Sequence, residues 1–129
     1  MIAEGAIEDN YVTFLASIFR SIRFGSSSAH GRANLIRFNY FKKHDAFSYN
    51  SSNGTYRVNY EKIGEVTRSL SNKILMLQGD GDFSGTEAFI KKYGVMDEQL
   101  KQSLAQLTEA DIPVDIVFEQ GSDVLGIEN

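Results

Sequence analysis

The sequence predicts a mainly helical α+β domain: about five helices, one β-hairpin and a C-terminal extended segment. Three observations carry this. Apolar residues recur at helical spacing in four separate stretches, and glycine closes several of the expected helices. A single Asn53-Gly54 pair is flanked by short runs of alternating aromatic residues. Only one proline, Pro113, interrupts 129 residues. That length suits one domain, residues 1–129, with no linker or repeat to divide it.

The first helix is expected from about Asp9 to Phe24. Tyr11, Phe14, Leu15, Ile18, Phe19 and Ile22 recur along it, Asp9 is the candidate N-cap, and Gly25 stops it. Ser26, Ser27 or Ser28 can cap a second helix reaching Lys43. At about 100° per residue, Ala29, Ala33, Ile36 and Tyr40 form one apolar stripe, with Leu35 and Phe38 roughly opposite. Two polar strips separate them: His30, Asn34 and Arg37 on one side, Arg32 and Asn39 on the other. Such a helix is expected between layers, with its polar strips facing water, partners or a cleft.

Phe47 and Tyr49, then Tyr56, Val58 and Tyr60, alternate on the two sides of the hairpin turn. A third helix runs from about Tyr60 to Gln78 on the stripe Ile63, Val66, Leu70, Ile74 and Leu77. A short fourth helix follows from about Ser84 to Tyr93, closed by Gly94, and a fifth from about Asp97 to Thr108 buries Leu100, Leu104 and Leu107. "IPVDIVFEQG" then reads as extended.

The formal net charge of −4 makes nucleic acid a poor partner, since phosphate binding requires a basic field. Without cysteine there is no disulfide, thiol nucleophile or thiolate metal site, and a cytoplasmic setting fits. No apolar run approaches a membrane span, and the acidic N-terminus lacks a signal-peptide profile.

Most sites suggested by composition fail on geometry. "DGDFSGTEAFIK" starts like a calcium loop but ends on Lys91, where a bidentate glutamate is required; an acidic turn and a capped helix start explain it. "GDGDFSG" lacks the lysine of a phosphate loop. His30 and His44 lie about 21 Å apart along a helix axis and cannot share a zinc ion. Ser28 and His30, two residues apart, do not face each other on a helix. The strip His30, Asn34, Arg37 remains, at i, i+4 and i+7. It reads either as a solvated, ion-paired face or as a row of donors lining a groove for carbonyls or carboxylates.

"FRSIRFGSSSAHGRANLIRFNYF", with "GTYRVNYEKI", "ILMLQGDGDF", "KKYGVMDEQLKQSLAQL" and "IPVDIVFEQGSDVLG", resembles the C-terminal region of the dipeptidyl peptidase III family of zinc metallopeptidases. It is most similar to a bacterial branch of zinc-dependent hydrolases; some relatives, notably in plants, are fused to a nudix domain. The resemblance implies a parent enzyme that releases dipeptides from peptide N-termini. It implies zinc held by two histidines of an H-E-L-L-G-H-type motif and by a later glutamate. Neither motif occurs here, and both are expected upstream, so the chain itself is expected to hold no metal and to be inactive, with Met1 an internal or added start. The expected partners are that upstream zinc-binding region and a peptide substrate. The resemblance makes His30 the candidate donor to substrate and transition state. Asn34 stands where the better-known branch has arginine, and Arg37 is the candidate substitute one turn later. Arg20 and Arg23 are expected to pair with acidic neighbours. A non-catalytic interaction or regulatory module, or part of a nudix-fused hydrolase whose main chemistry lies elsewhere, is the alternative.

Overall fold

The computed structural model describes residues 4–114 and Gly126. Within it the chain runs α1 (Glu4–Arg23), α2 (Ala29–Lys43), β1 (Phe47–Asn50), β2 (Thr55–Val58), α3 (Tyr60–Gly79), α4 (Phe83–Tyr93) and α5 (Glu98–Glu109). The five expected helices and the hairpin are all present. Most of the extended segment read in "IPVDIVFEQG" lies outside the described residues.

The helix starts follow short-range chemistry. Ser28 caps α2, its hydroxyl oxygen accepting from the Gly31 amide at 3.0 Å. Asn59 caps α3, Asp82 caps α4 and Asp97 caps α5, each carboxylate or amide oxygen accepting from an amide of the first turn. The Asp82 cap accounts for the acidic turn that imitates a calcium loop. Asp9 is not a cap: α1 begins at Glu4, and Asp9 lies inside it, exposed. The residues before Asp9 include good helix formers, which extend the helix one turn beyond the core it serves.

The hairpin is antiparallel, with Phe47 opposite Val58 and Tyr49 opposite Tyr56. Gly54 adopts φ 70°, the left-handed conformation the turn needs.

Helix α2 is the centre of the molecule, packed against α1, α3, α4 and β1. Leu35, Phe38, Tyr40 and Phe41 are buried along it, meeting Ile18 and Ile22 of α1, Phe47 of β1, and Ile63 and Leu70 of α3. Much of this core is aromatic. Phe38 meets Phe19 at 5.2 Å and Tyr56 at 5.7 Å between ring centroids, both edge-on, and Phe41 meets Phe47 edge-on at 5.1 Å. The expected two-faced helix is therefore sandwiched, but only along its C-terminal half. Tyr40 packs on Phe89 and Tyr93 of α4, whereas Ala29 and Ala33 stay exposed. Eleven-residue α4 covers only the Ile36–Tyr40 end of the stripe.

Polar side chains lock the connections. One amide group of Asn39 donates to the carbonyls of Tyr93 and Val95, each at 2.7 Å, fixing the turn between α4 and α5. Lys42 pairs with Asp97 at 2.9 Å. Among the described residues Arg23 meets no acid: its guanidinium donates to the carbonyls of Ile112 and Pro113 at 2.9 and 3.2 Å, tying the end of α1 to the chain beyond α5.

Candidate functional site

The first turn of α2 passes unusually close to the turn that precedes it. Gly25, at φ 116°, reverses the chain after α1. Its carbonyl accepts from both the hydroxyl and the amide of Ser28, at 3.0 and 3.3 Å. A Cβ on Gly31 would lie 2.1 Å from that same carbonyl oxygen, so only glycine permits the approach. This crossing holds the residue before it, His30, at the open N-terminal end of α2.

His30 is exposed, and its imidazole has no hydrogen-bond or ion-pair partner among the described residues. The rest of the strip is engaged within the chain. The Asn34 amide donates to the Ser21 hydroxyl of α1 at 2.7 Å and to the His30 carbonyl at 3.1 Å. Its oxygen accepts from the Arg37 guanidinium at 2.8 Å. Arg37 also lies over the Phe14 ring, 5.8 Å from its centroid. Asn34 thus braces α2 against α1, backs the His30 turn and orients Arg37. His44, the other histidine, caps the opposite end of α2 and stacks on Tyr40 at 4.4 Å.

Beside the strip lies a groove of about 240 Å³ between α2, α3 and α4. Ala33, Ile36, Leu70, Ile74, Leu77 and Phe89 make its walls, with Arg37, Gln78 and Thr86 at polar points of the lining. Ala33 and Arg37 follow His30 at i+3 and i+7, so all three share a side of α2 and the imidazole sits one turn beyond the groove's end.

Sequence reading singled out His30, Asn34 and Arg37 but missed three contributors. The one signal Gly31 offers in sequence is a helix-disfavouring residue inside a first turn. Ser21 carries no signal in the sequence that sets it apart from other polar residues of α1. Ile74, read as core, is a half-exposed groove wall. Ionisable behaviour is perturbed elsewhere: burial pushes the Tyr56 phenol up, though its Ser103 hydrogen bond opposes this. Burial also acts to raise the Asp97 carboxyl, but hydrogen bonds from Lys42 and the Leu100 amide outweigh it and hold the group below its ordinary value. Both groups support α5 and neither lines the groove.

No protein-family model matches the chain. Solved structures do. Dipeptidyl peptidase III from Caldithrix abyssi superposes with a TM-score of 0.77 at 42% identity, over 82% of this chain. This chain is similar in sequence and fold to a segment of dipeptidyl peptidase III. A second dipeptidyl peptidase III, from Corallococcus sp. strain EGB, matches with a TM-score of 0.76 at 37% identity over 83% of the chain. Nudix hydrolase 3 of Arabidopsis thaliana is 38% identical over 116 residues, 90% of the chain. These findings bear out the resemblance read from the sequence, both to the dipeptidyl peptidase III C-terminal region and to a nudix-named relative. The chain spans 20% and 19% of the two solved dipeptidyl peptidase III chains and 15% of the plant protein.

Among the described residues no three His, Asp, Glu or Cys side chains come together, where zinc takes three or four such ligands. No described helix is long and apolar enough to cross a membrane.

Proposed function

We propose that this chain forms one wall of the substrate cleft in a zinc-dependent exopeptidase that releases dipeptides from peptide N-termini. The observation that carries the reading is His30: an exposed imidazole, unpartnered among the described residues, at the end of a braced helix, in a chain 42% identical to a dipeptidyl peptidase III segment. In this reading the His30 imidazole donates a hydrogen bond to the substrate carbonyl and to the oxyanion that develops from it. Arg37, positioned by Asn34 and Phe14, offers its remaining donors to substrate carbonyls or carboxylate. Asn34, with both amide hydrogens engaged, acts as the brace for the other two. Among the described residues no set of side chains fits a zinc site, and in this reading the metal is held by polypeptide outside this chain.

The test is hydrolysis of a dipeptidyl-arylamide by the complete gene product containing this chain, with metal analysis of the same sample. His30→Ala is expected to lower kcat/KM by roughly 10–1000-fold, as for loss of one transition-state donor. An unchanged rate removes His30 from the mechanism. The match to a protein named as a nudix hydrolase supports a second reading, in which the parent's main chemistry lies in a separate nudix part. Turnover of a nucleoside diphosphate substrate with no arylamide hydrolysis would favour it.

A further inference from the structure

The groove between α2, α3 and α4 is more than a dent in the surface. Ala33 and Ile36 belong to an apolar stripe of α2 that α4 leaves half uncovered. Opposite, one turn of α3, Ile74 to Leu77, is apolar between Lys73 and Gln78: Ile74 and Leu77 line the groove, while Leu75 and Met76 are 64% and 63% exposed. Its apolar surface continues past the groove to Leu75, which makes it an interaction surface rather than a small-molecule pocket. At the rim, Arg37 is held by Asn34 and Phe14 and pairs with no carboxylate among the described residues.

We infer that this groove is the docking face for the polypeptide that lies outside this chain, taking an apolar helix face. The solved relatives supply the length: this segment is about one-fifth of each, so four-fifths of their chain lies outside the part matched here. Ala29 and Ala33, small and exposed on the same stripe, let a helix backbone approach α2 closely. Docking there closes the groove and leaves His30, one turn beyond its end, at the seam between the two parts. The inference rests on the reading of the chain as part of a dipeptidyl peptidase III-type protein, and it assigns the surface that joins the parts.

The chain contains no cysteine, so a single introduced thiol reports on one position. Ala33→Cys in the groove wall and Gln78→Cys at its polar rim would be reacted with a maleimide, with Ser52→Cys in the hairpin turn as reference. In the 129-residue chain both groove thiols are expected to react as fast as the reference. In the complete gene product they are expected to react at least about 100-fold more slowly, through rare opening only. Equal rates in the two proteins overturn the docking face, and so does a gene product no longer than this chain. Concentration-dependent protection in the 129-residue chain, accompanied by a dimer mass in sedimentation, also overturns it by assigning the face to a second copy. Arylamide hydrolysis on the same samples separates the two ideas. Protection without peptidase activity upholds the docking face and removes the catalytic reading; activity without protection does the reverse.

Discussion

Gly31→Ala is the sharpest probe of how the fold holds His30. A helix interior gains about 1 kcal/mol when glycine becomes alanine, so propensity alone predicts a more stable protein. The contacts predict the opposite. The new Cβ would lie 2.1 Å from the Gly25 carbonyl oxygen and 2.9 Å from its carbon, both backbone atoms that no rotamer change can move. Ordinary contact begins near 3.4 Å, so the α1–α2 turn must open by about 1.3 Å. Overpacking of this kind costs about 1–3 kcal/mol. The same Cβ would crowd the Ser28 hydroxyl at 3.0 Å, threatening a cap worth about 1 kcal/mol. The net expectation is a loss of about 1–3 kcal/mol, read as a lower urea midpoint with an unchanged slope. In thermal unfolding this corresponds to a fall of roughly 4–12 °C for a domain of this size. Gly64→Ala in α3 is the matched control, because its Cβ would meet nothing nearer than the Arg68 guanidinium at 3.8 Å. It should gain about 0.5–1 kcal/mol. If both alanines stabilise the protein equally, the close crossing does not constrain the start of α2 and the account of how His30 is held fails.

Asn39→Ala should destabilise by about 1–3 kcal/mol, since it strips the Tyr93 and Val95 carbonyls of their shared donor; faster amide exchange at residues 94–97 would accompany it, and unchanged exchange there would contradict it. Asp97 is held below its ordinary pKa, so its stabilisation is present above the unfolded carboxylate value near pH 4 and is lost as pH falls through the lower folded value. Asp97→Asn keeps a capping oxygen for α5 and should flatten the acid side of the stability profile; parallel wild-type and variant profiles between pH 6 and 2 would refute the assignment. Tyr56 has the opposite sign. Its phenol is raised, so stability is full below the unfolded value of about 10 and declines as pH rises through the folded one. Tyr56→Phe should remove that alkaline decline, measured by urea unfolding from pH 8 to 11.

The fold was legible where its causes are local. Ser28, Asn59, Asp82 and Asp97 each stand one residue before a helix, and capping is a contact across three or four residues. The Asn53-Gly54 turn and its alternating aromatics specify the hairpin for the same reason. Even the sandwiched position of α2 followed from its two apolar faces. The start of α1 was misread because the residues before Asp9 continue the helix without an apolar stripe to announce it.

The geometry of the candidate site was legible in part. Helical angle placed His30, Asn34 and Arg37 on one strip, and that strip exists. Which of the three is left free was decided by partners far along the chain. Ser21 on α1 takes the Asn34 amide and Phe14 takes the face of Arg37, while nothing described takes the His30 ring. Sequence alone determined the elements and the faces each helix presents, because periodicity and caps are written within a few residues. Tertiary structure decided which faces are covered: α4 leaves Ala33 exposed, and Ser21 and Phe14 of α1 engage Asn34 and Arg37. Coverage depends on the lengths and crossings of several helices at once, and no local pattern encodes those.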